Sequence, residues 1–372
     1  MAARQKYFLS SKAAPNGNST VSHQIVQFGL TRGATSYYQL GKLFDLADST
    51  MKLIVENERV SEHEFAVKLA NKMGLIGKER KDFFLKAGWL EDKDHAIEAL
   101  RDKKAPLWMA ITSMYKAQGK SEENMCRQLG VVQGTFHGWC NQNIARRPPR
   151  DKMLAMAGED CFNLNRQEAE FFLEAAEHFI DKAHVVDALR QKRISPTHVI
   201  KHLMEAEAGG VREYAEKIAQ KPNTVFFWSN TRIPRDRLIN LINGLSIDDQ
   251  RTVMESRGRY LDAAHIATRL KASSNPSDFV NAFKDVYDLT SEDFGISKTS
   301  VTKHQSGSQR ATLESMAVQF AAVEKKHPDV SACWEAYKTT CARYAGHADG
   351  SHASHLFKRE LEAERQQKIK QR

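Results

Sequence analysis

Two arginine-rich loops carry the clearest chemistry in this chain. The first reads IARRPPRDK and supplies Arg146, Arg147, Arg150 and Lys152; the second reads NTRIPRDR and supplies Arg232, Arg235 and Arg237. Guanidinium groups are permanently charged, fork-shaped donors, suited to gripping phosphate oxygens without reading a base. The bland alternative is that they are solvated or pair with nearby acids. Just ahead of the first loop stand Gln133, His137 and Asn141, and ahead of the second stands Asn223. Amide side chains of this kind match adenine bidentately in a duplex groove, whereas lysine reaches guanine. A third set, Ser297, Lys298, Thr299, Thr302 and Lys303, mixes lysines with small hydroxyls. To act on a duplex, each set needs a helix that presents it outward.

The elements that would do so recur four times. A small hydroxyl residue falls at Thr50, Thr135, Thr224 and Ser300, at intervals of 85, 89 and 76 residues. Around it the same offsets carry Phe44, Leu46, Met51 and Ile54, then Leu129, Val131, Phe136 and Trp139. The third copy has Ile218, Gln220, Val225 and Trp228, and the fourth Phe294, Ile296, Val301 and His304. Such offsets predict one helix, a tight turn and a second helix, packed so that the second helix keeps an outer face free. Four copies at similar spacing make internal repetition the leading feature of the chain.

Each copy opens with an amphipathic segment, near 21–30, 107–117, 198–208 and 279–287. Pro106 and Pro196 stand just ahead of two of these, where a missing amide hydrogen matters least. A second signature follows the pair as LIGKERKDFFLKAGW, LNRQEAEFFLEAAEH and LSIDDQRTVMESRGR, a capping stretch before an apolar pair. HPDVSACWEAYKTT is the nearest equivalent in the fourth copy. The expected organisation is a mobile arm at 1–20, repeats at 21–92, 105–182, 195–268 and 277–345, and a polar, charged tail at 346–372 that ends in a helix.

These segments resemble the phage-repressor/Cro class of helix-turn-helix DNA-binding domains. The closest matches are 38–75 and 294–321, and Gly130 and Gly295 occupy the family's turn glycine. Departures are Asp45 and Ala219 at that glycine, Gln220 at a core position, and His304 where a large apolar residue is usual. The resemblance implies an all-α tandem array of four lambda-repressor-like domains. It also implies that the second helix of each reads DNA. By position it would present Asp48, Ser49, Lys52 and Glu56 in the first copy, whose two acids face phosphates unfavourably. In the others it would present Gln133, Gly134 and His137; Asn223, Phe226 and Asn230; and Ser297 through Lys303.

The remaining features mostly exclude. The 55 basic and 46 acidic residues leave a net charge of +9, a moderate tilt toward a polyanionic partner. No run of 18 apolar residues exists, so no membrane span is expected, and the start lacks the apolar stretch of a secretory signal. Five scattered cysteines suit reduced thiols in a cytoplasm. Cys341, His347, His352 and His355 match no zinc spacing, Trp139 and Trp228 fall on the inward register, and no catalytic or cofactor motif occurs. The expectation is a cytoplasmic, nucleoid-associated, sequence-preferring duplex DNA-binding protein, not an enzyme, without cofactor or metal. A repeat-built protein scaffold and an RNA binder stay open, as does the oligomeric state.

Overall fold

Short helices hold only if their first free amides find acceptors, and this chain supplies them at regular places. Thr20, Ser36, Asp92, Ser121, Asn165, Asp181, Ser246, Asp262 and Thr312 each accept the amide hydrogen three residues on. The computed structural model describes residues 20–57, 60, 62–144, 146–231, 233–305 and 311–371. The arm at 1–19, Arg232 and the side chain of His304 lie outside the described residues. Among those described, the fold is all-α, with 23 α-helices, two 3-10 helices and no strand.

The chain divides into two compact units, Met1–Ile180 and Asp181–Arg372. In the first unit α1 (Val21–Thr31) leads into a short pair, α2 (Tyr37–Phe44) and α3 (Asp48–Asn57). Then come α4 (His63–Met73), α5 (Gly77–Lys86) and α6 (Lys93–Arg101). The order then returns as α7 (Leu107–Ala117), the pair α8 (Glu122–Leu129) and α9 (Gln133–Cys140), α10 (Arg150–Ala157) and α11 (Arg166–Glu174). The leading helices and the short pairs therefore stand where the sequence predicts them.

The second unit begins with α12 (Lys182–Arg190) and α13 (Val199–Ala208), then the pair α14 (Val211–Lys217) and α15 (Pro222–Asn230). It continues through α16 (Arg235–Ile242), α17 (Ile247–Ser256), α18 (Ala263–Arg269) and α19 (Pro276–Tyr287). A 3-10 turn, Ser291–Phe294, and α20 (Lys298–Gln305) form the last pair. After it come α21 (Leu313–Lys326), a 3-10 segment Pro328–Cys333, α22 (Trp334–Tyr344) and α23 (His352–Gln371).

Three helices, α6, α12 and α18, share a start that the sequence patterns above do not include. Each follows an Asp-x-x-His cap: Asp92 with His95, Asp181 with His184, Asp262 with His265. Leu90, Ala96, Ile97 and Leu100 join one apolar core with Ile111, Phe136 and Trp139. In the same way Ala263, Ile266 and Leu270 join Phe279, Phe283, Phe294 and Val301. α6 and α18 thus close a core shared with the helices that follow them.

The C-terminal helix α23 has few apolar positions and uses them against its neighbours. Leu361 is fully buried in the core that holds Phe320 and Trp334. Arg365 lies over the Trp334 ring at 4.4 Å and the Phe320 ring at 5.7 Å, and its guanidinium pairs with Glu324 and Glu362. The charged tail is therefore docked on α21 and α22, its arginine stem covering aromatic surface.

Candidate nucleic-acid interface

The four short pairs share one corner. Five residues before the recurring hydroxyl, each pair has a positive φ: Asp45 at 55°, Gly130 at 62°, Ala219 at 51° and Gly295 at 68°. Glycine takes this left-handed region freely, aspartate tolerates it, and alanine does so at a cost. Beyond the corner, Met51, Phe136, Val225 and Val301 are fully buried at the same offset. Ile54 and Trp139 are buried one turn on, so Trp139 is a core residue, as its register implies; Trp228 is half-buried.

Burying that side leaves the other exposed. Asp48, Ser49, Lys52 and Glu56 face outward on α3, and Gln133, Gly134 and His137 on α9. On α15 the outward residues are Asn223, Phe226, Phe227 and Asn230, and on α20 Lys298, Thr299, Thr302 and Lys303. Ser297 caps α20, its hydroxyl accepting the Ser300 amide at 3.1 Å. The Thr302 hydroxyl turns back to the Lys298 carbonyl at 3.0 Å. Asn141 is committed locally. Its Nδ2 donates to His137 Nε2 at 3.0 Å, and its Oδ1 accepts the Asn143 amide at 2.8 Å.

The arginines separate into two groups. Arg146 and Arg147 are exposed beside α9, where the Arg146 stem packs along Gly138 and Arg147 pairs with the exposed Glu177. Such an exposed pair contributes little and is easily exchanged for another anion. Phosphate contacts are also expected from sequence for Arg150 and Arg235, but the structure gives these two other partners. Arg150 Nε donates to the Phe179 carbonyl at 2.7 Å, with a second bond to Ile180. Arg235 donates to Tyr260 at 2.7 Å and Leu261 at 2.8 Å, and to Asp285 at 3.3 Å. The first copy does the same with a different side chain: His63 Nε2 lies 3.0 and 3.1 Å from the Leu90 and Glu91 carbonyls. In each case the first residue of the helix after the pair clasps the two carbonyls just ahead of the Asp-x-x-His cap.

The cap histidines complete this latch. The Glu91 amide donates to His95 Nδ1 at 3.1 Å, and the Leu261 amide to His265 Nδ1 at 2.9 Å. Burial pushes His95 below the usual histidine value, so its ring stays neutral and able to accept. The recurring D-x-x-H at 92–95, 181–184 and 262–265 is the sequence signal that would have exposed this arrangement.

Nothing else in the described residues competes as a site. A cavity of about 890 Å³ beside Arg235 is lined by Arg235, Arg259 and Lys284 against Asp236, Asp285 and Asp288, so its charges balance. Burial pushes the Cys140 thiol up to about 12 and the Cys161 thiol up to about 11, which removes both as nucleophiles at neutral pH. Among the described residues no three metal-ligating side chains converge, and no helix is long and apolar enough to cross a membrane. No protein-family model matches this chain, and no curated protein or solved structure shows a significant match to it.

Proposed function

We propose that this chain is a sequence-preferring duplex DNA-binding protein built from four helix-turn-helix modules of the phage-repressor/Cro type. It would act in the cytoplasm, at the nucleoid, as a bacterial or mobile-element regulator or DNA-organising factor. One observation carries the reading: all four pairs turn through a left-handed corner, bury the same offset of the next helix and leave its opposite face exposed. That is the geometry by which a helix enters a major groove.

The copies differ in suitability. The α9 and α20 segments carry no acid, and α20 brings Lys298 and Lys303. Exposed Arg146 and Arg147 would grip phosphates at the edge of the second module. Several modules in one chain would replace the dimerisation by which single modules reach two half-sites, because covalent linkage raises effective concentration. The outward Asp48, Glu56 and Leu53 of α3 favour a second reading for the first copy alone, a protein-docking role.

The test is binding of the full chain to labelled duplex DNA across salt concentrations, with structured RNA run beside it. Affinity for DNA should fall steeply with salt, since each neutralised phosphate releases counterions. Replacing Arg146 and Arg147 by alanine should lower the log–log slope by roughly two, close to one per contact. No duplex binding at low salt would overturn the reading in favour of a scaffold, and preferential RNA binding would overturn its choice of nucleic acid.

A further inference from the structure

The third copy presents a different chemistry from the others. Asn223, Phe226, Phe227 and Asn230 fall at i, i+3, i+4 and i+7, so they form a single stripe along α15. Phe226 is 63% exposed and Phe227 60% exposed, on a helix that carries no acid. One exposed cation flanks the stripe, Lys221 at the N-cap. At the other end the Arg257 guanidinium is held by the Thr231 carbonyl and by the Pro196 carbonyl at 3.1 Å.

We propose that this stripe holds unpaired DNA bases, stacked on Phe226 and Phe227, while Lys221 meets a phosphate at the N-terminal end of α15. The proposal rests on the DNA-binding reading above and assigns the third module a substrate that the closed groove does not offer. Two exposed rings suit bases because every base has a π-face, and stacking needs no particular sequence. Asn223 supplies an amide donor and acceptor for a base edge that pairing no longer occupies, and Asn230, whose Nδ2 donates to the Phe226 carbonyl at 2.9 Å and the Ser229 hydroxyl at 3.3 Å, adds an acceptor. A second copy of the chain is the poorer occupant. Two phenyl rings at this exposure offer on the order of 250 Å² of apolar surface. A stable dimer buries about 800 Å² per partner.

The test uses the full chain and two labelled DNAs, a closed duplex and the same duplex with a short unpaired bubble carrying 2-aminopurine. The wild type should bind the bubble about tenfold or more tighter and quench the 2-aminopurine on binding. Phe226→Ala with Phe227→Ala should bring bubble affinity down to that for the closed duplex and abolish the quenching. Phe226→Trp should keep both effects. The rings are exposed, so thermal unfolding should match the wild type. Equal wild-type affinity for both DNAs overturns this inference and leaves the DNA reading standing, whereas binding to neither overturns both. An equal loss on both DNAs in the double variant makes the rings groove contacts and overturns the stacking role. Self-association of the wild type that disappears in the double variant makes them a dimer patch and overturns it as well.

Discussion

Arg235 donates to the backbone carbonyl of Tyr260 at 2.7 Å, twenty-five residues along the chain, and holds the turn that starts the next capped helix. Arg150 stands in the same relation to Phe179, at 2.7 Å. In the first copy His63 fills that place with one ring nitrogen between two carbonyls. The clasp holds the backbone just ahead of each Asp-x-x-His cap.

Separating these arginines from the exposed pair is the first prediction. Arg150→Ala and Arg235→Ala should each destabilise the unit that holds them by about 2–3 kcal/mol, because charged hydrogen bonds to partly buried carbonyls are lost. The salt dependence of DNA binding should not change. Arg146→Ala and Arg147→Ala should do the reverse, with stability altered by less than about 0.5 kcal/mol and the salt slope reduced. Urea unfolding and DNA titration of the same variants decide between the roles.

His95 gives a pH prediction with a definite sign. Burial, with Lys81, lowers its pKa from the usual 6.5, while Asp92, Glu98 and Glu91 pull the other way. The folded ring is neutral, so only the unfolded chain takes up a proton as pH falls through 6.5. Its contribution is therefore full above that value and declines as pH drops below it. Urea midpoints of the first unit between about pH 8 and about pH 5 should fall, and His95→Gln, which keeps a neutral acceptor, should reduce the fall. An undiminished drop in the variant would remove His95 as its source.

The left-handed corner predicts a stabilising change. Ala219 has φ 51° where Gly130 and Gly295 stand in other copies. Ala219→Gly should relieve about 1 kcal/mol and raise the melting temperature of the second unit by about 2–4 °C. Gly130→Ala should cost a similar amount from strain alone, since an added Cβ meets no atom within 4 Å.

Trp139 is 4% exposed and packs edge-on to Phe136 at 5.9 Å. Trp139→Ala should destabilise its unit by about 3–5 kcal/mol. A folded variant of unchanged stability that has lost DNA affinity would place the ring on the outer face instead.

Much of this arrangement was legible because it is written in side-chain periodicity. The offsets around Thr50, Thr135, Thr224 and Ser300 gave the short pairs, and the outward residues of α9 and α20 followed from what the inward ones bury. Asp45 and Ala219 appear in sequence as departures, yet both take the glycine conformation. The clasps were illegible for a different reason. In the sequence Arg150 and Arg235 read as part of basic loops, whereas each opens a helix, and their partners are backbone carbonyls, which any residue supplies. The charged α23 looked like a tail because one leucine and an arginine stem supply little periodic signal, although both are covered in the fold.

The most direct test of the central claim is competition binding with a duplex selected from random DNA and its scrambled counterpart, using wild type and Lys298→Ala. If the second helix of the fourth module reads bases, the substitution should cost about 1–3 kcal/mol on the selected duplex, roughly 5- to 150-fold. The loss on the scrambled duplex should be much smaller. An identical loss on both would make Lys298 a phosphate contact. No selectable duplex at all, with the chain folded and at low salt, would contradict the account outright.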